Sequence, residues 1–244
     1  MLLLWSLCLV FFGEAGRGAS LDPRAVSRFQ LALPVPVEAP RRGSAVRLVA
    51  RAGEQQMLPP PFPPTKTYLL GPPFSSPGPL LSLRQKETQV TYVNQMGAPH
   101  LLHHCIDPSI GWADPWRNGS LLAPAPWSPH LHGAAPSSAC DGTPGQWFTQ
   151  DLEATGPYFR SSTCRYGAAP PGAVFFGHDH SHGLTRLSVY AGMVFPVVAK
   201  KLDSMSGTLC LQIYPSLLLR FPSMYCKNTA SIRNQSYTHH VLAQ

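Results

Sequence analysis

Proline occurs 27 times among the 244 residues of this chain, and glycine occurs 20 times. Proline removes a backbone donor and breaks a helix interior, and both residues favour turns. Breakers at this density suit short strands joined by turns and leave little room for long helices. Hydrophobic residues make up 44% of the chain and charged residues only 13%, so a core can be buried and a disordered chain is not indicated. We therefore expect an all-β protein.

Short apolar or β-branched runs recur along the chain and mark the expected strands. In residues 44–51, Val46, Leu48 and Ala50 alternate with other residues, which is typical of a half-buried strand. The further expected strands are residues 65–70, 79–84, 88–94, 127–132, 173–180 and 187–199, the last a central strand with a bend near Pro196. Residues 97–126 predict a long loop, and no segment has the caps and apolar stripe of a helix. This spacing favours a β-sandwich.

The two ends of the chain differ from its middle. Residues 1–20 contain an apolar run at 2–12 that ends in small residues, as in a signal peptide, and this predicts a secreted or secretory-pathway protein. The alternative is a buried amino-terminal segment. No other run approaches the roughly 18 apolar residues of a transmembrane helix, so we expect no membrane span. We expect one domain at residues 21–199 and an irregular, poorly ordered tail at 200–244.

Charge and cysteine content limit the partners and the covalent framework. The net charge of +7 is scattered, whereas nucleic-acid binding needs a concentrated basic face, so no nucleic-acid partner is expected. Loss of a signal peptide would leave an odd number of cysteines, and the sequence leaves their pairing open. These five cysteines are Cys105, Cys140, Cys164, Cys210 and Cys226.

Two His-x-His pairs are the features that indicate chemistry. Alternate residues of a strand share one face, so each pair presents two imidazoles on the same side. Neutral imidazole binds copper, zinc, iron and nickel. If the two strands are neighbours, four imidazoles converge, and the sequence predicts a metal site at His130, His132, His178 and His180. The remaining histidines, His100, His103, His104, His182, His239 and His240, are expected to be ordinary surface or core residues.

The sequences around these pairs resemble the copper motifs of the multicopper oxidases. Pro129-His130-Leu131-His132-Gly133, followed by Cys140-Asp141-Gly142 and Trp147-Phe148, resembles the first motif of that family. His178-Asp179-His180 and the following residues 183–192 resemble the second motif, in the form found in spore-coat laccases, bilirubin oxidases and plant ferroxidase-like proteins. The likeness extends from about residue 21 to residue 199.

This resemblance implies a cupredoxin-like Greek-key β-sandwich, the first domain of a normally three-domain enzyme. It implies copper as the cofactor, with His130 at a type 2 site and with His132, His178 and His180 at a type 3 pair. Asp141 would help move protons to dioxygen as it is reduced to water. The alternative for Asp141 is a turn residue, since Asp-Gly is a good turn dipeptide.

Other positions depart from the family pattern or carry no ligand. Asp179 should point away from the face of its two neighbouring histidines and support them from behind. Pro129 lacks a strand donor, so its strand should be bulged or lie at a sheet edge. The residue before the second pair is usually aromatic in the family, and Gly177 predicts a cavity there. The His-Cys-His motif of a type 1 copper site is not encoded in this sequence, so the enzyme is expected to be incomplete as given.

Three functions remain open at this point. The first is the oxidoreductase domain of a multicopper oxidase, which contributes half the ligands of the trinuclear cluster and acts on dioxygen and a reducing substrate. That substrate would be a phenol, a tetrapyrrole or a metal ion, and nothing in this domain chooses among them. The second is a secreted, non-catalytic copper- or zinc-binding module, because four imidazoles can hold one ion tetrahedrally. The third is a truncated, inactive product.

Overall fold

Nine strands and one α-helix are present in the computed structural model, which describes residues 22–84, 87–110 and 123–200. The strands are β1 Arg41–Arg42, β2 Ala45–Gln55, β3 Thr65–Gly71, β4 Leu81–Arg84, β5 Thr88–Gln95, β6 Pro129–His132, β7 Thr163–Tyr166, β8 Val174–Asp179 and β9 Val194–Lys200, and the helix α1 is Thr185–Tyr190. Four short 3-10 helices lie at Pro23–Ala25, His103–Cys105, Ser138–Cys140 and Gln150–Leu152. The expected signal peptide at 1–20 and nearly all of the expected tail lie outside the described residues.

The first sheet is built around β2, which is antiparallel to β1 and β3 and parallel to β5. β7 adds antiparallel to β5 and completes five strands. Along β5 every second residue is buried, from Thr88 and Val90 to Tyr92 and Asn94. This alternation places one face of the first sheet against the core. The same alternation in the sequence is the pattern from which a strand is predicted here.

The second sheet has the order β4-β9-β8-β6, with β4 and β9 parallel and the other pairs antiparallel. β6 therefore lies at the sheet edge, where the N–H that Pro129 lacks is not needed for a ladder bond. The expectation that Pro129 stands on an edge strand is confirmed.

The two sheets enclose one apolar core, so the expected all-β, cupredoxin-like sandwich is confirmed. Trp127 and Leu131 at the β6 end are fully buried, and the Trp127 ring meets Tyr92 edge-to-face at 5.3 Å. The hydroxyls of Tyr92 and Tyr166 hydrogen-bond to each other at 2.8 Å, so neither buried hydroxyl is left unsatisfied.

The expectation of one long strand at 187–199, with no helix nearby, is wrong. α1 occupies Thr185–Tyr190, and the backbone N–H groups of Ser188 and Ala191 donate to residues four positions earlier. Gly192 then turns the chain with φ of +115°, and β9 begins at Val194. Hydrophobicity alone cannot separate a helix from a strand over so short an apolar run.

The expectation of a cavity at Gly177 is also wrong. A Cβ atom at this glycine would lie 2.1 Å from Cζ of Phe195, so the space is already filled by that ring. Phe195 lies opposite Gly177 in the β8–β9 register. The sequence could not show this compensation, because the two residues are 18 positions apart.

Two further features were not predicted. Neither the four-residue strand β7 nor the two-residue strand β1 was predicted. Cys140 and Cys164, whose pairing the sequence left open, form a disulfide with a Cα–Cα distance of 5.5 Å. Cys105 is exposed and forms no disulfide within the described residues. None of the described helices has the length and hydropathy of a membrane span.

Candidate metal centre

The antiparallel pairing of β6 and β8 brings three of the predicted histidines onto one surface. His130 lies directly opposite His178, and His132 lies opposite Phe176. Leu131, between the two histidines of β6, points the other way and is fully buried in the core. The histidines therefore face outward from the second sheet, as the strand period requires.

His180 lies just beyond the end of β8 and is drawn to the same place by the backbone. Its N–H donates to the carbonyl of Ser128, the residue before β6, at 2.8 Å. The His180 ring centroid lies 5.0 Å from that of His130 and 5.5 Å from that of His178.

The imidazoles of His130, His132 and His178 converge within one small volume. Ring centroids are 5.5 Å apart for His130 and His132, 5.4 Å for His130 and His178, and 5.5 Å for His132 and His178. One ring nitrogen from each of these three lies within 4.8 Å of the others. His180 adjoins this group without belonging to it. Phe176 stacks on His132 at 4.8 Å and on His178 at 5.3 Å, and it had no sequence signal as part of the site.

Hydrogen bonds to carbonyl oxygens determine which nitrogens of the cluster carry protons. Nδ1 of His178 lies 2.7 Å from the carbonyl of Asp179, and Nδ1 of His130 contacts the carbonyl of Asp141. A carbonyl can only accept, so both Nδ1 atoms are donors, and in the neutral form of each ring the lone pair is on Nε2. Nε2 of His178 lies 3.3 Å from Nδ1 of His132, which must then be the donor to it.

Burial keeps part of the cluster neutral. Burial lowers the pKa of His178 to about 4. The hydrogen bond to the Asp179 carbonyl opposes this shift, whereas the neighbouring charges of His130, His180 and His132 add to it. Burial also lowers the pKa of His180, with His130 adding to the effect. Neutral imidazole is the form that binds a metal, so neither group has to lose a proton near pH 7.

Asp141 lies beside the cluster on the loop that follows β6. Its Oδ1 is 3.6 Å from Nδ1 of His130, and its side chain is 42% exposed. The loop is anchored by the disulfide of the preceding Cys140 and turns at Gly142, whose φ is +70°. The arrangement suits both expected roles of Asp141, since a turn at this point places the carboxylate within reach of solvent and of His130.

Asp179 is buried behind the cluster and carries hydrogen bonds that the sequence analysis did not predict. Its Oδ1 accepts from the N–H of Ser128 at 2.9 Å, from the N–H of Ser181 at 3.2 Å and from the Ser181 hydroxyl at 2.7 Å. Burial raises the pKa of Asp179, and hydrogen bonds from Ser128, Ser181 and Ser188 oppose that rise. The Asp-x-Ser spacing is a local signal for part of this network, since aspartate often bonds two residues onward. The sequence gives no local signal for the hydrogen bond from the N–H of Ser128.

His100 is a buried core residue, as the sequence analysis allowed. It is 2% exposed, and its Nε2 lies 3.2 Å from the hydroxyl of Ser188 in α1. Its Nδ1 accepts from the N–H of Leu102 at 3.0 Å, so Nε2 is the donor to Ser188. Burial lowers the pKa of His100 to about 4, with a smaller contribution from His103. Both ring nitrogens are thus occupied within the protein.

The donor set of the cluster fits copper. Imidazole nitrogen is a good ligand for copper, and the Nδ1 hydrogen bonds of His130 and His178 fix the orientation of their rings, as is common for metal-binding histidines. Nδ1 of His180 is buried and has no hydrogen-bond partner in the described part of the chain. A buried nitrogen without a partner is costly unless a ligand satisfies it.

The fold of this chain resembles that of solved multicopper oxidases. Among solved structures, the chain resembles laccase from Pediococcus acidilactici Pa5930 with a TM-score of 0.51 and 20% identity, over 72% of this chain and 32% of that one. It resembles a multi-copper oxidase from the same species with a TM-score of 0.50 and 19% identity, over 72% and 30%. At these identities the likeness shows the fold.

In sequence, about half of the chain is similar to laccases and to plant multicopper oxidases. It is 35% identical over 134 residues to laccase of Bacillus subtilis, a match that covers 54% of this chain and 25% of the laccase. It is 35% identical over 120 residues to multicopper oxidase LPR1 of Arabidopsis thaliana, covering 48% and 19%. The match thus spans about a quarter or less of these curated relatives. No family model matches the chain.

Proposed function

We propose that this domain supplies copper ligands to the trinuclear cluster of a multicopper oxidase. In this proposal His130 binds the type 2 copper, and His132, His178 and His180 bind the type 3 pair. The observation that carries the proposal is the convergence of His130, His132 and His178, with one nitrogen of each within 4.8 Å of the others, in a chain homologous to laccases. Bound copper would supply the one-electron steps by which such oxidases reduce dioxygen to water.

The residues of this chain have three tasks in that proposal. The carbonyls of Asp141 and Asp179 orient the His130 and His178 rings by accepting from their Nδ1 atoms. Phe176 covers the His132 and His178 rings and limits their motion. The Asp141 carboxylate, part-exposed and close to His130, can pass protons between solvent and the cluster.

The domain is proposed to act as part of a larger assembly. The sequence holds no His-Cys-His motif, so the type 1 copper and the remaining cluster ligands would come from another domain. We expect the chain by itself to bind copper without intense blue colour and without sustained oxidase turnover, because the blue colour comes from a copper–thiolate bond. The reducing substrate of the complete enzyme is a phenol, a tetrapyrrole or a metal ion.

Secretion is proposed as the setting for this function. Residues 1–20 have the pattern of a signal peptide. The disulfide between Cys140 and Cys164 supports this, because disulfides persist mainly in oxidising compartments.

A single-ion copper- or zinc-binding module is the second candidate, favoured by the close approach of one nitrogen each from His130, His132 and His178, which lie within 4.8 Å of one another. Metal analysis, which counts the ions per chain, and copper EPR, which reports their ligands, distinguish the cluster proposal from the single-ion module when applied to the secreted chain. More than one copper per chain, lost in His130→Ala/His178→Ala, supports the cluster proposal. One ion per chain, with four nitrogen ligands, supports the module. His104→Ala, an exposed histidine outside the cluster, is the control and should bind as the unchanged protein does. Copper binding that survives His130→Ala/His178→Ala would show that the site lies elsewhere.

A further inference from the structure

The Asp179 carboxylate lies where the two histidine strands meet. It is fully buried, and a single oxygen, Oδ1, accepts from the backbone N–H of Ser128 and from both the N–H and the hydroxyl of Ser181. Ser128 immediately precedes β6, and Ser181 immediately follows His180. One carboxylate oxygen therefore holds the start of one histidine strand against the end of the other.

Ser128 extends the connection to the third segment of the site. Its carbonyl accepts from the N–H of His180 at 2.8 Å, and its hydroxyl donates to the carbonyl of Thr143 at 2.7 Å. Thr143 follows Gly142 in the loop that carries Asp141. Ser128 thus joins β6, the residues after β8 and the Asp141 loop, and the carboxylate of Asp179 fixes the N–H of this junction residue.

We propose that Asp179 is a positioning residue that sets the relative placement of the two histidine pairs through the backbone of Ser128 and Ser181. The inference rests on the proposed function, since it assigns the support of the same copper ligands. β6 is an edge strand with only four residues, so β8 alone holds it in the sheet. Without the carboxylate, the buried N–H groups of Ser128 and Ser181 lose their acceptor, and an edge strand is free to shift. The ring spacings of 5.0–5.5 Å around His130 would then no longer be maintained.

Two substitutions at Asp179 and one elsewhere test this. Asp179→Ala removes the acceptor, whereas Asp179→Asn keeps an oxygen that can accept from both backbone N–H groups. Asn94→Ala is the matched control. Asn94 is also buried and makes three hydrogen bonds to backbone, but it lies on β5 in the other sheet. Amide hydrogen exchange is measured on the metal-free chains, and copper affinity is measured by competition with a chelator.

Asp179→Ala should speed exchange at residues 128–132 and 178–181 by about tenfold or more relative to Asn94→Ala. It should weaken copper binding by about 10- to 100-fold, as loss of a group that orients metal ligands does. Asp179→Asn should restore copper affinity to within about threefold of the unchanged protein, since it keeps the acceptor. Equal exchange and equal copper affinity in Asp179→Ala and Asn94→Ala would overturn the inference, because a merely structural role destabilises without local effect. If the unchanged chain binds no copper, the proposed function fails, and the exchange pattern alone decides the inference.

Discussion

The ring of Phe195 on β9 lies directly against the backbone of Gly177 on β8, on the core side of the sheet whose outer face carries His178. A Cβ at Gly177 would meet Cζ, Cε2 and Cε1 of that ring at 2.1–2.5 Å. β9 therefore supplies the aromatic side chain that packs beside the cluster, because the residue before His178 is a glycine and has none.

Gly177→Ala should destabilise the domain by about 1–3 kcal/mol, because the new methyl group overpacks a filled core. The urea midpoint measures this. Gly177→Ala/Phe195→Leu should be more stable than the sum of the two single changes predicts, since a smaller side chain at 195 makes room for the methyl group. Strictly additive effects would contradict the direct contact.

Gly142→Ala should reduce the stability of the domain more than Gly172→Ala does, although both glycines have φ near +70° to +80°. A Cβ at Gly142 would lie 2.0 Å from the carbonyl oxygen of Pro129, which belongs to backbone and cannot move aside, whereas a Cβ at Gly172 meets nothing within 4 Å. We expect Gly172→Ala to lower the free energy of unfolding by about 1 kcal/mol, from the positive φ alone, and Gly142→Ala to lower it by at least about 2 kcal/mol. Thermal unfolding of the two variants, run side by side, measures the difference. Equal losses would mean that the turn at Gly142 is not held against β6.

Removal of the disulfide should destabilise the chain and loosen the Asp141 loop. The bond closes a loop with a sequence separation of 24, for which chain entropy gives about 3.5 kcal/mol. Cys140→Ser/Cys164→Ser should lose that much stability in urea unfolding. Cys105→Ser, at an exposed cysteine with no disulfide in the described part of the chain, should leave stability unchanged. Undiminished stability in the double variant would show that the bond does not constrain the unfolded chain.

Stability should fall as the pH is lowered from about 6.5 to about 4, partly because of His100. Burial holds the pKa of His100 at about 4 in the folded chain, below its ordinary value of 6.5. Between these values the unfolded chain binds a proton that the folded chain does not, so unfolding is favoured as the pH falls. The loss from this one group approaches about 3 kcal/mol below pH 4.

His178 has a pKa lowered in the same direction and adds to the loss, so the variant comparison is needed to isolate His100. His100→Gln keeps a donor for Ser188 and does not titrate. The fall in unfolding free energy between pH 7 and pH 4.5, measured by urea titration, should therefore be about 2–3 kcal/mol smaller in His100→Gln than in the unchanged protein. The same fall in both proteins would assign the acid sensitivity to other groups.

The sequence by itself predicted the all-β sandwich, most of its strands and the two His-x-His pairs as candidate metal ligands. These follow from local rules: alternation along residues such as Val90 and Tyr92, the i and i+2 spacing of each histidine pair, and the missing donor of Pro129. Only the tertiary structure decided that Thr185–Tyr190 is a helix, that Phe195 fills the space at Gly177, and that Cys140 pairs with Cys164. It also decided that the Asp179 carboxylate binds the N–H of Ser128, 51 positions earlier. These features depend on which segments, distant in the sequence, come into contact. The sequence pattern of a strand does not show this, because the pattern is the same whichever strand lies beside it.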